Sequence, residues 1–342
     1  MQGTEIRQQD VLLLGCTITY LRVKSSTSKV NNHDTNAFVS RVDSALLDLL
    51  NVEGFSPEMF RETGFPRIRP ILVMLSARAV QRGEQRFEDA EVEHVALATE
   101  LLHAAIFVHD IALGRQGGRR RRVARRLVGG ALGWIGGNQL TLRALELSRQ
   151  STSSEVLTEM LDTMRQVAES QTIAQNWSSQ LPSVEELVCQ KEQREGSMFS
   201  FACRAGARIG RADRPHLTSV GRFGFHMGVG LALLEDLHLF SLDKEQLISG
   251  LSERAHSFWP PYPLCLVAEE EPELINLWSS LRSNEDVYSA ERILDIIGYH
   301  QGQERCRDRI VQSSWSARRA LRKLPPSEHR DSMESLIESL VV

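Results

Sequence analysis

Apolar side chains recur along most of this chain at spacings of three and four, the period of one helix face. Residues 37–51 place Phe38, Val42, Ala45, Leu46 and Leu49 on such a face. Residues 68–81 repeat the pattern with Ile71, Leu72, Leu75 and Ala79, and Pro70 near the start suits a first helical turn. Residues 91–111 carry the densest version, with Val92, Val95, Ala96, Ala98, Leu101, Leu102, Ala105 and Ile106. Further helical patterns cover about 120–149, 154–177, 183–210, 216–240 and 285–322, with a last one near 327–341. No stretch alternates with period two between turn signals. The pattern therefore predicts an all-α protein, a single bundle of many helices.

Two segments interrupt the pattern. Residues 23–36 (VKSSTSKVNNHDTN) are polar and turn-rich and read as a linker. Residues 257–264 (SFWPPYPL) hold three prolines and read as a helix breaker. The domain reading is an N-terminal extension and linker over 1–36 and one helical domain over 37–342. Within the extension, residues 11–21 are apolar, but eleven residues are too few to cross a bilayer. No basic segment precedes them, so a secretory signal is not expected either. A cytoplasmic protein without a transmembrane segment is the expectation.

Composition narrows this little. The 342 residues are 42% hydrophobic, enough for a large core, and the net charge of −4 gives no global attraction to nucleic acid. The five cysteines are widely spaced and form no CxxC pair, so neither a disulfide framework nor a zinc site is expected.

Four local clusters carry candidate chemistry. Arg67 and Arg69 lie at a helix start, where free backbone N–H groups also favour an anion; a solvated basic loop would look the same. On the next helix, His103, Phe107, Asp110 and Gly114 follow one stripe. Polar groups on so apolar a helix need partners or a polar cavity, and a satisfied core histidine is the plain alternative. The run Arg115 to Arg126 holds seven arginines in twelve residues and suits a polyanion, either a diphosphate or a nucleic-acid backbone, if it is not simply solvated. Finally, a glycine-rich apolar helix from Gly224 ends in the acidic pair Glu235-Asp236, which also fits a core helix with a polar end.

In this order, these clusters resemble the trans-prenyl (polyprenyl) diphosphate synthase family. Its GGKRLRP motif appears as Gly64 to Pro70, and its ELIH…HDD helix as Glu100 to Asp110. Arg119-Arg120 fall at its double arginine, Gly137-Asn138 at its Gly-Asp, and Arg194-Glu195 at its Lys-Thr, followed by Ser197 and Ala202-Cys203-Arg204. Glu235-Asp236 fall at its second acidic motif, Tyr262-Pro263-Leu264 at a TLPL-like segment, and Leu324 to Glu328 read LPPSE. The resemblance spans about residues 38–341. It implies an isoprenoid-synthase-like bundle of helices around a central cavity. Two DDxxD motifs there face each other and hold magnesium against an allylic diphosphate, whose departure leaves a cation that alkylates isopentenyl diphosphate.

The resemblance weakens at the metal. The first motif reads Asp110-Ile111-Ala112-Leu113-Gly114 and the second Glu235-Asp236-Leu237-His238-Leu239, so three acids stand where the family has six. By resemblance, Arg67, Arg69, His103, Arg119, Arg120 and Arg194 are diphosphate-binding residues. Asp110, Glu235 and Asp236 are the candidate catalytic and metal residues. Magnesium is the expected cofactor if the protein is active, and otherwise none. Two classes of function follow: a non-catalytic or regulatory subunit that pairs with itself or with a catalytic homologue, or a divergent prenyltransferase or terpene synthase with an altered metal site. Nucleic-acid binding through Arg115 to Arg126 is a third reading that the overall charge disfavours.

Overall fold

The computed structural model describes residues 33–52, 67–81, 88–113, 131–178, 180–257, 259–284 and 287–340. The described residues form helices and turns, with no strand among them. The first helices are α1 (His33–Val52), α2 (Ile68–Val80), α3 (Asp89–Ala112), α4 (Ala131–Arg149) and α5 (Ser154–Gln175). Next come α6 (Val184–Lys191), a single π turn (Glu192–Gly196) and α7 (Ser197–Ile209), which run on as one rod, and then α8 (Arg214–Leu239). The chain ends with α9 (Lys244–Ser257), α10 (Tyr262–Ala268), α11 (Glu273–Asn284), α12 (Val287–Tyr299), α13 (Gly302–Leu321) and α14 (Glu328–Glu338). The first helix begins at His33, inside the segment read as linker.

Two helices are central because they are apolar nearly all round. On α3, Val95, Ala96, Ala98, Leu101 and Leu102 are all buried, although they point in several directions. On α8, Val220, Phe223, Met227, Leu233 and Leu237 are buried likewise. Both are long and apolar enough to cross a membrane by composition, but 83% and 72% of their most apolar stretches lie inside the protein. They are the shared walls of one large core, to which α1, α2, α4, α5, α7, α13 and α14 also contribute buried side chains. A smaller core over α9–α12 is built on Leu251, Leu264, Leu274, Trp278 and Ile293.

The structure corrects two expectations about helices. The pattern over 285–322 is two helices, α12 and α13, broken at Gln301, whose φ of 52° is left-handed. The 257–264 segment does not exclude a helix: Pro261 caps α10 and Pro263 sits in its first turn, where no backbone N–H is needed. That turn matters, because it delivers the Tyr262 amide to the site.

Candidate active site

Several helices and the π turn converge on the candidate site, and most contribute a charged side chain. Arg67 caps α2 and sends its guanidinium to two acids: Asp43 on α1, and Glu100 on α3 at 3.3 Å. Burial pushes the Glu100 carboxyl above its usual range, while Arg67 and Arg69 pull it back. Arg69, in the first turn of α2, is buried; it donates to Glu195 at 3.0 Å and lies over the Phe199 ring. His103, one turn after Glu100 on α3, is held well below its usual pKa by burial and then by Arg69, Arg194 and Arg67. It is therefore a neutral imidazole near three guanidinium groups. Four of the six expected diphosphate-binding residues thus stand together; Arg119 and Arg120 lie outside the described residues, as does the rest of the Arg115–Arg126 run.

The π turn positions the next pair. Its extra residue per turn lets Arg194 and Glu195, consecutive in sequence, both reach the same space. Arg194 donates to Asp110, approaches Glu195 at 3.5 Å, and lies 5.1 Å from the centre of the Trp259 ring. Burial alone lowers the Arg194 pKa, but Asp110, Glu195 and Glu235 together outweigh it and raise the value. Gly228 on α8 lets this turn approach, since a Cβ there would collide with the Glu195 carbonyl.

The two acidic motifs end in different surroundings. Asp110 is 1% exposed and accepts from Arg194 and, at 3.3 Å, from Gln171. Asp236, equally buried, accepts from the Tyr262 amide at 2.9 Å and Arg254 at 3.0 Å and pairs with Lys191 at 2.7 Å. Glu235, its neighbour, points outward and comes no nearer than 4.0 Å to Arg254. The sequence reading treated Glu235 and Asp236 as one pair, whereas α8 splits them between solvent and interior. Among the described residues, no group of three His, Cys, Asp or Glu side chains is arranged to hold a metal ion.

The sequence reading missed Lys191, Arg254, Trp259 and Asp43. Gly137, noted beside Asn138, has a packing reason: the His109 ring lies against it and leaves no room for a Cβ.

A polyprenyl synthetase family model matches residues 59–280. The chain belongs to the polyprenyl synthetase family. Among curated relatives of this family, the Rhodobacter capsulatus all-trans-nonaprenyl-diphosphate synthase (geranyl-diphosphate specific) is 23% identical, with 80% of this chain and 84% of that protein covered. The Geobacillus stearothermophilus heptaprenyl diphosphate synthase component 2 is 25% identical over 54% of this chain and 57% of its own length. The crystal structure of geranylgeranyl pyrophosphate synthase from Lactobacillus brevis superimposes with a TM-score of 0.80 at 15% identity, covering 90% of this chain and 97% of that one. The polyprenyl synthetase fold therefore holds even where few residues are shared.

Proposed function

We propose that this chain is a polyprenyl diphosphate synthase-like protein of isoprenoid biosynthesis that acts as a non-catalytic or regulatory subunit and keeps a prenyl-diphosphate site. One observation carries the reading: the two buried acids that remain from the magnesium motifs are already neutralised by basic side chains, Asp110 by Arg194 and Asp236 by Lys191 and Arg254. Magnesium needs oxygen donors free to coordinate it. Here both carboxylates are committed to N–H donors, and at Asp236, held by Lys191 and Arg254, losing one partner of the buried pair costs ~3–5 kcal/mol by the general rule. The donor set therefore does not fit a magnesium cluster.

Pairing with another chain is supported by α4, where Ile135 and Leu142, seven residues apart and so on one helix face, are 57% and 59% exposed. The relative named as one component of heptaprenyl diphosphate synthase fits the same picture. The second reading, a divergent active prenyltransferase or terpene synthase with an altered metal site, is favoured by relatives that are themselves named synthases.

The deciding experiment mixes the purified chain with a catalytic homologue from the same source and follows both complex formation and the length of the product. A complex with a changed rate or chain length is expected. Absence of both a complex and any effect would overturn the subunit reading.

A further inference from the structure

The anion site contains its own anion. Glu195 stands where the family has threonine, and its two carboxylate oxygens are divided between two candidate diphosphate ligands. Oε2 accepts from Arg69 at 3.0 Å, and Oε1 lies 3.5 Å from Arg194 Nε. Each arginine is only partly satisfied: Arg69 Nε and Arg194 Nη1 are buried with no hydrogen-bond partner. A single carboxylate cannot fill both forks, whereas a diphosphate offers more oxygens and suits bidentate recognition. Nor is Glu195 free to swing away with its backbone, because its carbonyl rests against Gly228 and Gly196 packs on Phe225.

We propose that Glu195 is a built-in competitor for the diphosphate site: its carboxylate neutralises Arg69 and Arg194, so an entering diphosphate must displace it, and site occupancy is set by that exchange rather than by magnesium. The inference rests on the diphosphate-binding part of the function proposed above. It assigns to Glu195 a control over affinity that neither the retained arginines nor the lost aspartates explain. It also accounts for the local charge: Arg69 and Arg194 are fixed cations, but Glu195 offsets them.

The test is calorimetry with inorganic pyrophosphate in metal-free buffer, on the full chain and on Glu195→Gln. Removal of the charge is expected to tighten binding by about tenfold or more, because the guanidinium groups no longer give up a charged partner. Adding Arg69→Ala to Glu195→Gln is expected to remove the gain. Glu195→Thr, the residue of the family motif, serves as a second variant if Glu195→Gln does not melt cooperatively. Equal or weaker binding in the folded variants, no binding by any variant, or a gain that survives Arg69→Ala would overturn the proposal. No binding by the native chain or any variant would overturn the diphosphate site itself, whereas binding that Glu195→Gln leaves no tighter would overturn only the competitor, so the two failures are distinguishable.

Discussion

Asp110 and Asp236 began as equivalent positions in two acidic motifs, and they are equally buried, yet their surroundings differ in kind. Asp236 accepts from the α10 backbone and pairs with side chains from α6 and α9, so four elements meet at one carboxylate. Asp110 has one cation, Arg194, and that cation is shared with Glu195. The first arrangement is a closed lock and the second is a relay whose charge can be redistributed. The difference is one of partners: Asp236 is fixed by two cations and a backbone amide, whereas the one cation of Asp110 is shared with a second carboxylate.

Four substitutions or conditions test that contrast, from the largest expected effect to the smallest. Asp236→Ala leaves the Lys191 ammonium and the Tyr262 amide buried without a carboxylate, and a loss of about 3–5 kcal/mol is expected in urea unfolding. A loss below ~1 kcal/mol would show that the lock is not structural. Gly228→Ala forces α8 away from the Glu195 carbonyl; overpacking of this kind costs about 1–3 kcal/mol, and pyrophosphate affinity should change with it. Asp110→Asn is expected to cost only ~1 kcal/mol, because Arg194 retains Glu195 as a counter-charge. If it matched Asp236→Ala, the contrast between the two sites would fail.

The fourth test is in pH dependence. The His103 pKa is depressed in the folded protein, so below about pH 6.5 the unfolded chain takes up a proton that the folded one refuses. Stability should therefore fall as pH drops below that value, by at most about 1.4 kcal/mol per pH unit from this group. It is fully retained above that range. Thermal melts between pH 7.5 and 5 should show a shallower acid loss in His103→Gln than in the native chain.

Much of this was legible in the chain. The three-and-four spacing of Val92, Val95, Leu102 and their neighbours marks a helix that the structure makes central, because side chains on all its faces are apolar. The grouping of Arg67, Arg69, His103, Asp110 and Arg194 came through resemblance, and the bundle brings those residues together. Other parts were hidden for physical reasons. Lys191 lies in the polar run Gln190-Lys191-Glu192-Gln193 and looks solvated, yet the helix turns it inward to Asp236. Arg254 belongs to a segment without a family match. The break at Gln301 has no proline to announce it, and the helical period resumes directly at Gly302. The pairing of Arg69 with Glu195, and of Arg194 with both Glu195 and Asp110, depends on a π turn, whose one-residue shift no spacing rule in the sequence displays.

The most direct test of the account is product formation by the purified chain alone, supplied with labelled isopentenyl diphosphate, several allylic diphosphates and magnesium. No product above the level of Asp110→Ala is expected, because the acids that would hold magnesium already hold Arg194, Lys191 and Arg254. Turnover by the chain alone that disappears in Asp110→Ala would contradict this, and would mean that the ion pairs open to form a working metal site.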